Sequence, residues 1–209
     1  MENKKYPKSG FKKDPQALHR YVNNIRILTP QEWDQLKDVI PKEHHVTNFK
    51  ILTITGLRYI EFLRLYDHPE WYNRKENLIH LPEEAQKKGK RTMKERTITP
   101  LPSMFEDTFK AFTQGPKPPQ EATWNKNLQR WIQKVGIGPY GVSAKTTRKT
   151  IESWMYAAQV PTMDICERQG HDSLTSMRHY RRNTFSAREK GEIEAKLQEW
   201  GILRQKRGI

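Results

Sequence analysis

The chain has 209 residues, 10% of them aromatic, and a formal net charge of +14 at pH 7, which describes one packed basic domain with at most a small appendage and excludes global disorder. Such charge points to a polyanion, DNA or RNA before a membrane; no apolar run approaches the about 20 residues of a span, and the basic N-terminus lacks the apolar segment of a secretory signal. The single cysteine, Cys166, excludes an internal disulfide and a cysteine-based metal cage and suits a reducing, intracellular compartment.

Residues 1–15 carry five lysines and little that packs. They read as a mobile arm, a solubilising tail or a DNA-contacting one, and the arm is drawn as 1–27. Thr29-Pro30-Gln31-Glu32 is a helix start, with Thr as N-cap and Glu at the third position. Trp33, Leu36 and Ile40 follow at helical spacing, and Pro41 ends the helix. Phe49–Ile54 is a second apolar segment stopped by Thr55-Gly56, and Leu57–Tyr66 resumes a helical pattern. Leu78, Ile79 and Leu81 read as a strand, as does Arg96–Thr99, which predicts a hairpin with a long basic tip closed by Pro100 and Pro102. Helices are predicted over Leu101–Phe112, Thr123–Val135, Ser143–Ala158, Pro161–Gln169 and Ser173–Arg182. Ser186-Ala187-Arg188-Glu189 is a capping box opening a last helix through Ile193, Leu197 and Trp200. The fold class is α+β, mainly helical, with one small β-hairpin.

Four segments place basic or nucleophilic groups where packing does not explain them. Arg58 follows Thr55-Gly56-Leu57 at the mouth of an apolar helix and needs an anion, either the carboxylate of Glu61 one turn on or a phosphate. The hairpin tip carries Lys87, Lys88, Lys90, Arg91, Lys94 and Arg96, a solvated charge run or a source of a lysine that reaches into DNA. Lys145 and Arg148, three apart, share one helix face. Arg148 is also drawn toward the core by Ile151 and Met155, which is costly unless an anion lies near. Last, Gly170-His171 leads to Tyr180, nine residues after the histidine, among Arg178, His179, Arg181 and Arg182. A phenol ionises near pH 10, and cations or a base beside it make it a nucleophile.

In type, order and spacing, Arg58, Glu61, a hairpin lysine, Arg148, Gly170-His171 and Tyr180 resemble the catalytic domain of the tyrosine recombinases, the phage-integrase family. The resemblance runs from about Leu28 to Trp200. Lys145 stands where the family has the histidine of its His-x-x-Arg box, a variant that resembles integrases of archaeal viruses and plasmids. The family's N-terminal helical domain has no counterpart in the short segment before Leu28. That implies an excised catalytic domain or a minimal recombinase gripping DNA with its lysine arm.

The resemblance implies attack by Tyr180 on a DNA phosphate, giving a 3′-phosphotyrosyl link and a free 5′-hydroxyl. Arg58 and Arg148 would clamp the non-bridging oxygens, helped by Lys145 and His171. Lys90, ranked ahead of Lys88 and Lys94, would protonate the leaving oxygen. Glu61 would support Arg58, and Lys87, Lys88, Arg91, Lys94, Arg178 and Arg181 would contact DNA. No cofactor or metal is expected, since no clustered Asp/Glu constellation suits a two-metal nuclease. Expected partners are double-stranded DNA and further copies of the chain, in the nucleoid of a prokaryotic cytoplasm. The last helix either docks into a neighbouring copy or packs on its own chain. The rival readings are a type IB topoisomerase-like relaxing enzyme and a non-catalytic DNA-binding protein of the same fold.

Overall fold

The computed structural model describes residues 12–85, 95–171 and 185–203. After a 3-10 helix over Pro15–Arg20, a short hairpin absent from the sequence reading forms from β1 (Tyr21–Val22) paired with β2 (Ile25–Arg26). Asn23 and Asn24 turn it at φ 49° and 63°, the left-handed conformation that asparagine tolerates. Val22 and Ile27 lie in the core, and Arg26 pairs with Glu32 at 2.6 Å. This corrects the boundary drawn for the arm: residues 21–27 belong to the packed unit.

Helix α1 (Pro30–Val39) begins with the expected capping box: Thr29 accepts from the Glu32 amide, and Glu32 accepts from that of Thr29. Helix α2 (Glu43–Thr55) is buried almost all round from Thr47 onward, as a helix at the centre of a domain must be. It ends on Gly56 at φ 64°. Helix α3 (Tyr59–Asp67) follows. A three-stranded antiparallel sheet then forms from β3 (Tyr72–Asn73), β4 (Leu78–Leu81) and β5 (Arg96–Ile98), in the order β3-β4-β5. The pairs Ile79↔Ile98 and Leu81↔Arg96 set the β4–β5 register. The base of the predicted hairpin is therefore present, β3 is an addition to it, and residues 86–94 of its tip lie outside the described residues.

Helix α4 (Phe105–Gln114) starts later than expected. Pro100 and Pro102 keep Leu101 in the connection, where it is still buried, because the residue before a proline avoids helical dihedrals. Helices α5 (Glu121–Lys134), α6 (Lys145–Ala157), α7 (Thr162–Gln169) and α8 (Ala187–Glu199) complete the chain. The helix predicted over Ser173–Arg182 lies outside the described residues.

Two aromatic groupings hold these elements. Trp33 stacks on Phe49 and meets Trp200 edge-on, and Trp200 stacks on Trp154 at 5.8 Å, so α1, α2, α6 and the end of α8 share one contact chain. The Trp154 indole donates to the Leu28 carbonyl (2.8 Å), and Thr150 accepts from the Leu28 amide (3.0 Å). Phe62, Phe112, Phe109 and Tyr72 form the second grouping under α3, α4 and the sheet. Ile193, Leu197 and Trp200 are buried in their own chain, so this face of α8 packs intramolecularly. Among the described residues, no helix is long and apolar enough to cross a membrane.

His45 packs between Trp131 and Trp124, and its Nδ1 is buried without a hydrogen-bond partner among the described residues. Burial, with the charges of His44 and Lys42, lowers its pKa to about 4. The unfolded chain then binds a proton near pH 6.5 that the folded chain refuses until about pH 4. Stability is expected to fall as pH drops through that window, and His45→Phe to flatten the slope, measured by denaturant unfolding across a pH series.

A candidate phosphate-binding and strand-transfer site

Helices α2 and α7 both end on a glycine in the left-handed conformation, Gly56 at φ 64° and Gly170 at φ 63°. A C-terminal helix end leaves carbonyls without intrahelical partners and carries partial negative charge. Here arginines satisfy them. Arg148, on α6, donates to the Gly56 carbonyl at 2.7 Å and to the Gln169 carbonyl. Arg168 donates to Ile54 (2.7 Å) and Pro100 (2.8 Å), and Arg96 to the Arg168 carbonyl (3.2 Å). Arg58 donates to Gly170 at 3.2 Å. The two helix ends and the turn before α3 are thereby joined through guanidinium groups.

Both glycines are required by space as well as by φ. A Cβ at Gly56 would sit 2.4 Å from the Gln169 amide nitrogen, and one at Gly170 would sit 2.8 Å from the Arg96 side chain.

Glu61 is the anion at the centre. It is fully buried and takes two hydrogen bonds from Arg96, at 2.9 and 2.6 Å. It also accepts from the Arg58 side chain (2.7 Å) and backbone amide (2.8 Å). Burial alone would raise its carboxyl, but the Arg96 hydrogen bonds and the charges of Arg96, Arg148 and Arg58 hold it at about 2. Arg148 shows the converse: burial, then the like charges of Arg58 and Arg96, lower it to about 9. Desolvated cations beside one another favour the arrival of a further anion. Arg58 is placed for it, since its side chain keeps 34% exposure while bonded to Glu61. A guanidinium also has more N–H donors than the carbonyls on Arg148 use.

The other predicted residues divide clearly. Lys145 is exposed at the first turn of α6. His171 follows Gly170 directly, and its Nε2 lies 2.5 Å from the Glu152 carboxylate. Thus Arg58, Glu61, Arg148 and His171 come together on the turns after α2 and α7, with Lys145 on the same helix as Arg148. Lys87, Lys88, Lys90, Arg91 and Lys94 lie outside the described residues, as do Arg178, Tyr180 and Arg181.

Arg96 corrects the sequence reading that put it with a solvated charge run. It is 3% exposed, because Arg96 and Ile98 alternate onto the inner face of β5. That alternation was the signal for it. Glu152, Lys149 and Arg168 were missed as well. Glu152 lies one turn beyond Arg148 on α6, a spacing that puts both on one face. Among the described residues no group of three or more His, Cys, Asp or Glu is placed to hold a metal ion.

The domain is mainly helical and gathers arginines from distant turns around two helix C-termini. The model of the phage integrase family matches residues 26–187, and the chain belongs to that family, whose members are site-specific tyrosine recombinases that break and rejoin DNA. A search of the curated proteins finds no match to the chain.

Removing one partner of a buried ion pair costs about 3–5 kcal/mol. Arg96→Met is therefore expected to lower unfolding free energy by that order, and the double variant Arg96→Met/Glu61→Leu to recover only part of it, because Arg58 and Arg148 then lose their counter-charge. A single-variant loss below about 1 kcal/mol, the size of an exposed pair, would show that Glu61 does not depend on Arg96.

Proposed function

We propose that the chain cleaves one DNA strand by attack of Tyr180 on a phosphate, forming a 3′-phosphotyrosyl link and a free 5′-hydroxyl. A 5′-hydroxyl of a partner strand then reverses the step, so bond energy is conserved and no metal or nucleotide is consumed. The observation that carries this reading is the anchoring of Arg58 and Arg148, distant in sequence, on the same pair of turns, with Arg58 partly open to solvent. Donors held in place beforehand stabilise the charge that builds on non-bridging oxygens, at about 3–4 kcal/mol each in other enzymes.

In this reading Lys145 and His171 add hydrogen bonds to the phosphate, and Lys90 protonates the leaving 5′-oxygen. Chain connectivity supports the two roles assigned beyond the described residues. Arg96, just after segment 86–94, is bonded to Glu61, and His171 immediately precedes segment 172–184. Lys87, Lys88, Arg91, Lys94, Arg178 and Arg181, with the lysine arm before the packed unit, hold DNA through its backbone. Recombination between two sites calls for a dimer or tetramer on DNA.

A nicked suicide substrate traps the covalent intermediate. Wild type is expected to give a shifted band on a denaturing gel and Tyr180→Phe none, while Arg148→Ala slows its formation on the order of 10²–10³-fold. Normal DNA binding with no adduct would identify a non-catalytic member of the family. Relaxation of supercoiled plasmid without strand exchange would favour the topoisomerase-like reading.

Contact through phosphates also sets a salt dependence. With about six phosphates neutralised, DNA affinity is expected to fall on the order of 10³-fold between about 50 and 200 mM salt. A flat response in a filter-binding or anisotropy titration would remove the phosphate-tracking surface.

A further inference from the structure

The β1–β2 hairpin is clamped to the segment that leads into α6. The Arg26 amide donates to the Gly141 carbonyl at 3.0 Å, and Tyr21 packs edge-on against Tyr140 at 5.7 Å. Gly141 takes φ 73°, and a Cβ there would clash with the Asn24 carbonyl oxygen, so the hairpin turn rests directly on this backbone. Helix α5 fixes the same segment from another side. Gln129 donates to the Val142 carbonyl (3.1 Å), and Asn125 accepts from the Ala144 amide (2.6 Å). Further along, both backbone groups of Leu28 are bonded to α6, to Thr150 and Trp154. From Leu28 back to Arg26 the chain therefore follows α6 toward its N-terminal end. The hairpin turn lies beside the residues that precede that end, which carries Lys145 and Arg148.

The surface built this way is polar and cationic. Asn23 and Asn24 at the turn are exposed, as are Lys12 and Lys145. Lys13 sits over the Tyr21 ring, 5.3 Å from its centroid. Glu32 is neutralised by Arg26 at 2.6 Å, and the exposed Asp14 is outnumbered by Lys12 and Lys13 beside it in sequence. Asparagine tolerates the positive φ of the turn, but glycine meets that demand with no side chain at all. What asparagine adds is an amide with an acceptor and two donors, here twice over on a tip held by its neighbours.

A two-stranded β-ribbon is one of the shapes that the DNA major groove admits, and an asparagine amide pairs with the N6 and N7 edge of adenine. We propose that the β1–β2 turn enters the major groove near the phosphate held by Arg58 and Arg148, that Asn23 and Asn24 read adenine there, and that Lys12 and Lys13 hold the adjoining backbone. The inference rests on the strand-cleavage reading above and adds to it a sequence preference, which phosphate contacts do not supply.

Glycine at positions 23 and 24 suits both dihedrals and removes both amides. Wild type and Asn23→Gly/Asn24→Gly are each taken through selection from a pool of DNA duplexes of random sequence, and the bound duplexes are sequenced. Wild type is expected to enrich adenine at one or two adjacent positions. The glycine variant is expected to lose that enrichment by about 10-fold or more at each position, with preferences elsewhere in the site retained. Asn23→Asp and Asn24→Asp also accept a left-handed backbone, and at least one is expected to shift its position toward cytosine, whose exocyclic amine donates to a carboxylate. Lys12→Ala/Lys13→Ala is expected to weaken binding evenly across sequences and to flatten the salt slope, with the adenine preference intact. An unchanged profile in the glycine variant, no shift in either aspartate variant, or a wild type without adenine preference would each overturn the proposal. If the glycine variant does not fold, the aspartate variants decide alone. The covalent adduct on the suicide substrate is read separately: its absence in wild type overturns the strand-cleavage reading, whereas a wild type that forms adduct with no adenine preference overturns only the role of the hairpin.

Discussion

Guanidinium groups clasped between two helix C-termini organise this molecule. The carbonyls at the ends of α2 and α7 need donors, and Arg148, Arg168, Arg96 and Arg58 supply them. Glu61 supplies the compensating charge from within. Each component would be unfavourable alone. A buried arginine without carbonyls loses its hydration, and a buried glutamate without arginines takes up a proton. Together they form a positively biased cluster, which suits the proposed role of holding a phosphate.

The rest of the fold presents this cluster. The aromatic chain of Phe49, Trp33, Trp200 and Trp154 fixes α1, α2, α6 and α8 against one another, and so sets where α6 offers Arg148, Lys149 and Glu152. The inner face of β5 delivers Arg96 to Glu61 from the other side. Catalytic precision of the kind proposed demands support from packed elements, and here the support comes from both the helices and the sheet. The pairing of Glu152 with His171 and Lys149 extends the pattern: among the described residues, Glu61 and Glu152 are both buried against specific nitrogen groups.

Much of this was legible in the chain alone. Capping boxes at Thr29 and Ser186, the stop at Gly56, and the β4 and β5 runs announce themselves through local chemistry, which needs no knowledge of distant contacts. The order and spacing of Arg58, Glu61, Arg148, Gly170 and His171 were equally visible, because they follow the pattern that the resemblance to the family rests on. Helix starts were less exact where prolines compete with periodicity, as before Phe105.

What the tertiary structure decided were the partners of charges. Alternation with Ile98 is the one local sign that sets Arg96 apart from the lysines before it; the meeting of the inward face of β5 with a buried Glu61 makes it structural. Val22 and Ile27 look like the end of a basic arm until a two-residue hairpin folds them into the core. The apolar stripe of α8 shows no partner in the sequence, and the fold lays it against its own chain, with Trp200 stacked on Trp154. Glu152 becomes meaningful only when α7 brings His171 to it. The sequence by itself determined which chemical groups are present and in which local frames. Long-range packing determined which of them lose water, and desolvation is what turns an ordinary charge into a committed partner.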